Sequence, residues 1–219
     1  MASTQQLRRR ITSVKNTKQI TKAMEMVAAS KLRRAQEAAT ASREFARIAN
    51  ELLTRIRQMT DVSKHTLFVR RTIKKRLIIV VASDSGLAGG YNAGVLKHFA
   101  AELKKDDKAA IANKVITVGK RATAFTAKLD DMELLGAYHD FVASPTAEDL
   151  RPILITAIEG FQNGEFDAVD IVYTDFISSV NQKPATARLL PVAFEDVELS
   201  AHLEDAVFEP TPKKVLDEV

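Results

Sequence analysis

The sequence predicts an α/β protein with two parts: a long N-terminal helix of the coiled-coil type and an α/β domain with a mostly parallel sheet. Three observations predict it. Residues 1–85 contain neither glycine nor proline, although the 219-residue chain holds 8 Gly and 6 Pro; the first of each are Gly86 and Pro145. These two residues are the usual punctuation between elements, so their absence argues for one uninterrupted helix. Apolar side chains recur mostly at spacings of three and four from Leu7 to Met59, the signature of one stripe on a helix. From Leu77 onward, short β-branched runs alternate with amphipathic stretches, the pattern of a sheet with helices on its faces.

The helix is expected from Thr4 to about Met59, with Ser3 or Thr4 as its N-cap. At 1.5 Å per residue it would run roughly 85 Å, far beyond an ordinary core helix. Its stripe passes through Leu7, Ile11 and Val14, then Ile20, Met24, Val27, Leu32, Ala35 and Ala39, then Phe45, Ile48, Leu52, Ile56 and Met59. Small residues in the middle (Ala28, Ala29, Ala35, Ala38, Ala39) allow another helix to approach closely, as in a coiled coil. The six-residue interval from Val14 to Ile20 is filled by Lys15, Asn16, Thr17, Lys18 and Gln19. That polar window interrupts helical pairing and points to contact with something other than the partner helix.

Residues 1–60 therefore form a shaft helix and 61–76 a basic linker. Residues 77–193 are the α/β domain. Leu77–Ala82 is a buried strand by length and β-branching. Ser83–Gly90 is a loop, and Tyr91–Lys105 a helix through Val95, Leu96, Phe99 and Leu103. Lys114–Val118 is a strand, followed by Gly119 and a helix through Lys128. Met132–Tyr138 is a weaker strand. Thr146–Asn163 is a helix opened by a capping box, Thr146 with Asp149. Ala168–Thr174 is a strand, and Pro184–Val192 an edge strand, where proline is tolerated. The order is Rossmann-like. Residues 194–219 form an acidic tail that ends in the start of a helix at Pro212, proline being at home in a first turn.

Charge is divided between the two parts. Residues 1–76 hold 19 Lys and Arg against 5 Asp and Glu, a net of +14; residues 77–219 hold 13 against 23, a net of −10. Such asymmetry points to a different partner for each part. The longest clear apolar run, Leu77–Ala82, is far short of the ~20 residues that span a bilayer. The chain has no Cys, which excludes disulfides and thiolate metal sites, and its four His show no metal-ligand spacing. Residues 1–24 lack acids and carry six basic residues, as a transit peptide does, but the apolar periodicity runs through them into the rest of the helix, so they read as part of it.

The sharpest local motif is SDSGLAGGYN, residues 83–92, between a buried strand and a helix. Such a turn is where α/β folds place ligands. No Lys-Ser/Thr follows its last glycine, so it is not a P-loop, and the spacing of Gly86, Gly89 and Gly90 is wrong for a dinucleotide fingerprint. Ser83, Asp84, Gly86, Gly89 and Gly90 are read as a structural loop. No catalytic constellation stands out: Asp106-Asp107 and Asp130-Asp131 read as solvated loop acids, and His139-Asp140 are sequence neighbours only. The basic helix could bind nucleic acid through charge, but it carries a single aromatic, Phe45, and no recognisable binding module.

Two stretches together carry a family resemblance: ITSVKNTKQITKAMEMVAASKLRRAQ (11–36) and SDSGLAGGYN (83–92). They resemble the diagnostic segments of the γ subunit of F-type ATP synthases, and the order of helix, strand, glycine loop, α/β domain and FEPTP (208–212) fits that family over the whole chain. The resemblance implies a rotor without catalytic residues, cofactors or metal. In that family the N-terminal helix pairs with a C-terminal helix and enters the ring of α and β subunits; the α/β domain lies beside the ε subunit and the c-ring. It implies contacts to the α/β ring by Lys18, Lys22, Met24, Lys31 and Arg33, no nucleic-acid partner, and a peripheral place on the cytoplasmic side of a bacterial plasma membrane. The family usually has Cys at the position of Ala88, a small structural residue either way. The family's second shaft helix would follow Val219, so the apolar stripe is expected to find its partner there or on another chain. Two other readings stay open: a basic helical arm on a nucleotide-binding domain that acts on nucleic acid, and a self-assembling coiled-coil scaffold.

Overall fold

The computed structural model describes residues 3–62, 65–130, 132–141, 145–193, 208–209, 211–212 and 214–215. Helix α1 runs Thr4–Met59. Ser3 caps it: its Oγ accepts from the Gln5 amide at 3.3 Å while the Gln6 side chain accepts from the Ser3 amide at 3.2 Å. The sequence expectation for this helix holds at both ends, because nothing between them can break it. The chain divides into two compact units, residues 1–49 and 50–219.

In the first unit the helix stands on its own local hydrogen bonds. Thr12, Thr17, Thr21, Thr40 and Ser42 each return their hydroxyl to the carbonyl four residues earlier, at 2.8–3.1 Å. Its apolar stripe is exposed from Leu7 to Ile48.

The second unit begins with the last turns of α1. Ile56 is fully buried, and with Val62 it forms a small core packed by Leu52, Leu53, Phe68, Phe208 and Val215. Pro212, Lys214 and Val215 have helical backbone, and the Val215 amide donates to the Thr211 carbonyl at 3.1 Å. Val215 packs in the same cluster as Ile56.

The sheet has five strands in the order β3-β2-β1-β4-β5: β1 Lys75–Val81, β2 Ala112–Val118, β3 Glu133–Tyr138, β4 Ala168–Phe176 and β5 Gln182–Leu190. The first four are parallel; β5 runs antiparallel to β4 and closes one edge. This confirms the mostly parallel α/β class. Helices α2 (Tyr91–Lys108) and α3 (Lys120–Thr126) cover one face, and α4 (Ala147–Gln162) the other. Alternation along β1 supplies both cores. Leu77 and Ile79 join Ile116, Val169, Ile153 and Phe161 on the α4 side. Ile78 and Val80 join Val115, Val172, Val95 and Phe99 on the α2 side.

The boundaries differ from the sequence reading where charge is buried. β1 starts at Lys75, inside the basic segment, because Arg76 finds carboxylates to pair with in the interior. Helix α2 extends to Lys108 and takes in Asp106 and Asp107. Asp106, read as a solvated loop acid, is buried against Arg76. The expected edge strand begins at Gln182 and ends at Leu190, with Pro184 accepted in it because the far side of β5 is unpaired. The expected helix through Lys128 ends at Thr126 and continues as turns. The capping box is present: Thr146 Oγ1 accepts from the Asp149 amide, and Asp149 accepts from the Thr146 amide at 2.7 Å.

Candidate functional site

Two features were singled out in the sequence: the basic stretch of α1 and the glycine loop. Each lies in a different unit.

On α1, Lys18, Lys22, Met24, Lys31 and Arg33 are all exposed. At 100° per residue, Lys18, Lys22 and Arg33 fall in a sector of roughly 60°, whereas Met24 and Lys31 lie on roughly the opposite side, close to Ile20 and Val27. The five residues therefore lie on two roughly opposite sides of the helix and not on one face. Lys22 Nζ pairs with Glu25 at 3.0 Å, and Arg33 Nε with Glu37 at 3.1 Å. Both pairs are solvent-exposed and weak. Among the described residues, Lys18 and Lys31 have no ion pair. The polar window shifts the stripe: Leu7, Ile11 and Val14 lie on roughly the side of Lys18 and Lys22, and Ile20, Met24 and Val27 on roughly the other. A single partner helix cannot follow that jump without twisting or yielding to a second neighbour.

The glycine loop is held by side chains at its base. Ser83 is bonded to Asn92 on α2: its amide donates to Oδ1 at 3.1 Å, and Asn92 Nδ2 donates to Ser83 Oγ at 2.9 Å. Asp84 accepts the Lys120 amide on one oxygen and the Asp140 amide on the other, both at 3.0 Å. One carboxylate thus ties the end of β1 to the ends of β2 and β3. Above it Lys120 Nζ pairs with Asp140 at 2.5 Å, and His139 Nδ1 lies 3.2 Å from the same carboxylate. The hydrogen bond to Lys120 holds the Asp140 carboxyl below the usual carboxylate range, and the same bond raises Lys120. Gly86 packs against the Arg121 guanidinium, where a Cβ would approach Nη2 to 2.9 Å. Gly89 has φ +54° and open space around it, so its glycine serves the backbone and not a close contact. Leu87 sits at the tip with φ +59° and is 95% exposed.

This arrangement does not make a phosphate site. The carboxylate of Asp84 occupies the base of the loop, where a nucleotide would need positive charge. Its hydrogen bonds go to backbone amides. Among the described residues no group of His, Asp or Glu is placed to hold a metal ion. Sequence reasoning missed Gly119, which lies directly under the loop. It has φ +97°, and a Cβ there would meet the Ala82 carbonyl oxygen at 2.1 Å. Its signal was its place directly between a strand and a helix.

A long helix with an exposed apolar and basic surface, joined in one chain to an α/β unit whose glycine loop is tied at its base by Ser83 and Asp84, has the build of an interaction subunit. The comparisons say which assembly. The family model described as ATP synthase matches residues 3–219. The ATP synthase gamma chain of Glaesserella parasuis is 37% identical over 219 residues, covering 99% of this chain and 76% of that one. Those of Desulforamulus reducens and Ralstonia nicotianae are 35% and 33% identical, covering all of this chain and 76% and 77% of theirs. In fold, the chain resembles one from the central stalk and c-ring of the Tetrahymena thermophila mitochondrial ATP synthase, with a TM-score of 0.64 at 20% identity over 91% of this chain and 84% of that one. A chain of the Euglena gracilis mitochondrial ATP synthase gives 0.52 at 16% identity, covering 84% of this chain and 55% of that one. The chain belongs to the ATP synthase gamma-chain family. The family resemblance read from residues 11–36 and 83–92 is thereby confirmed, and the nucleic-acid and scaffold readings are not favoured.

Proposed function

We propose that this chain is the central rotor of a proton-translocating F-type ATP synthase, carrying torque between the membrane c-ring and the catalytic ring of α and β subunits and governing ATPase activity and proton flow. The observation that carries this reading is similarity to gamma chains along the whole sequence, including the exposed helix. A surface helix that buried its stripe within its own domain would need no such sequence; this one leaves Ile11, Val14, Ile20, Met24 and Val27 more than half exposed.

Lys18, Lys22, Met24, Lys31 and Arg33 are proposed as contacts to the α/β ring. Their place on two opposite sides of the helix supports that role, because a shaft inside a ring meets neighbours on more than one side. Lysines facing acidic loops set register and orientation more than raw affinity. Met24 supplies an apolar contact with little shape preference, suited to a surface that slides. The ε subunit and the c-ring are proposed as partners of the α/β unit. No helix of the described residues is long and apolar enough to cross a membrane; association with the cytoplasmic face of a bacterial plasma membrane is proposed through the complex.

The test is gel filtration of this chain mixed with matched α and β subunits, with ATPase activity assayed on the fractions. Co-elution with an active α/β assembly is the expected result. Elution apart from it, also when the chain is extended with the C-terminal helix of a related gamma chain, would overturn the reading.

A further inference from the structure

The described residues cover the α4 face of the sheet only in part. Toward the N-terminal ends of the strands, Ile153, Ala157 and Phe161 close over Leu77, Ile79 and Val169. Toward their C-terminal ends, Val81, Val118 and Ile171 remain half-buried, and the first turns of α4 offer Leu150 and Leu154, the latter 46% exposed. Between them lies a cavity of about 460 Å³. It sits over the carboxyl ends of β1 and β4, where the strand order reverses and α/β folds place their ligands. Its size is that of a small-molecule site, which runs roughly 300–1,000 Å³.

The lining is apolar, with Phe141 among aliphatic side chains, except at one side, where Ser83 and Asp84 border it. Its wall offers water few polar partners, so an apolar body lying on it would displace poorly held water. The Ser83 hydroxyl is already bonded to Ser85 and Asn92. Asp84 receives one backbone amide on each oxygen, and each oxygen keeps a further lone pair. The cavity thus offers an apolar wall and, at one end, an acceptor that carries negative charge.

We propose that this cavity binds a small, largely apolar molecule with a hydrogen-bond-donating end, an alcohol or an amine, whose body lies on Val81, Val118, Ile171 and Leu154 and whose donor meets Asp84. A carboxylate of the same length is disfavoured by the charge of Asp84.

The full chain, labelled at Ile, Leu and Val methyl groups, is titrated with decanol, decylamine and decanoate below their micelle concentrations. Expected are saturable shifts of the Val81, Val118, Ile171 and Leu154 methyls with decanol and decylamine, and at least tenfold weaker binding of decanoate. Leu154→Trp, at an exposed position that folding tolerates, should abolish these shifts by filling the cavity. Asp84→Asn should bring decylamine and decanoate closer together. Shifts that do not saturate, that spread equally to Val14, Ile20 and Val27 of α1, or that survive Leu154→Trp would overturn the proposal. So would contacts in the unliganded chain between the cavity methyls and residues 142–144 or 194–207, since the protein would then fill the cavity itself.

Discussion

Arg76 and Asp170 face each other across β1 and β4 in the interior of the sheet, 94 residues apart in sequence and both nearly inaccessible to water. The Arg76 guanidinium also reaches Asp106 at 2.8 Å and Glu102 at 3.3 Å on α2, and Arg188 on β5 shares the Asp170 carboxylate. Burial alone would lower the Arg76 pKa, but Asp106 and Asp170 outweigh it and raise it. One fork of donors therefore joins β1, β4 and α2. Removing it leaves buried carboxylates facing one another. Arg76→Met should destabilise the chain by about 3 kcal/mol or more in urea unfolding. The double variant Arg76→Met with Asp106→Leu should recover part of that loss, because it removes an unpaired charge along with its partner.

The same network sets a pH dependence. Burial would raise the Glu102 carboxyl, but hydrogen bonds from Lys105 and Arg76 more than offset it and hold the group below its ordinary value. Asp167 is lowered by the Lys74 amide, with the Lys75 amide and nearby Arg71 adding to it. A carboxyl lowered in the folded state binds fewer protons there than in the unfolded chain. Its stabilising effect is present above the unfolded value of about 4 and is lost as pH falls through the folded value. The urea midpoint should hold steady from neutral pH to about 5 and fall below that. Glu102→Gln should flatten the fall; an unchanged slope would remove Glu102 from the account.

Gly119 and Gly89 both have positive φ but differ in surroundings. A methyl at 119 meets the Ala82 carbonyl oxygen at 2.1 Å, whereas nothing lies within 4 Å of one at 89. Gly119 also donates its amide to the Tyr138 carbonyl at 2.7 Å, so the strand ends cannot part without losing that bond. Gly89→Ala should cost roughly 1 kcal/mol, the price of a left-handed alanine. Gly119→Ala adds a backbone clash and should cost roughly 3 kcal/mol or more. Equal losses in the two variants would show that the strand ends yield to the methyl.

Much of this fold was legible because its signals are local. Helix α1 is marked by missing breakers and by its stripe, and it ends where expected. The alternation after Leu77 gave the α/β class, and the Thr146–Asp149 box the start of α4. What escaped depends on distant partners. Arg76 looked like the end of a basic linker because Asp170 and Asp106 are remote in sequence. A single clue was available: Asp170 is the one charge in the apolar run AVDIVYT, and a charge in a buried strand demands a counter-ion. At the glycine loop, the motif could be read, but not the three-way tie through Asp84, since Lys120 and Asp140 meet it only in the folded sheet. Of the proposed α1 contacts, residue types were legible and helical phase followed from arithmetic; a partner on another chain would leave no signal in a single sequence.

Ile56 anchors the base of α1 in the second unit. It is fully buried among Val62, Phe68, Phe208 and Val215. Ile56→Ala should lower stability by roughly 2–5 kcal/mol, as for other large-to-small changes in a core. Because the cluster includes Phe208 and Val215, the variant should also hasten proteolysis near the C-terminus under native conditions. Stability loss without that change would mean that Phe208 and Val215 pack independently of Ile56.

Charge reversal on α1 separates contact from folding. Lys22 pairs with Glu25 in full view of solvent, and such pairs contribute a few tenths of a kcal/mol. Lys22→Glu places like charges three residues apart but removes no burial, so helicity by circular dichroism should be nearly unchanged. Within an assembled synthase, the proposed contact predicts a lower ratio of proton pumping to ATP hydrolysis. Lys31→Glu lies on roughly the opposite side of the helix and should act alike if the ring surrounds the shaft. Loss of coupling in Lys22→Glu alone would confine the contact to the face shared with Lys18 and Arg33. Full coupling in both variants, with normal assembly, would remove these lysines from the contact set and leave Met24 and the apolar stripe to carry the torque.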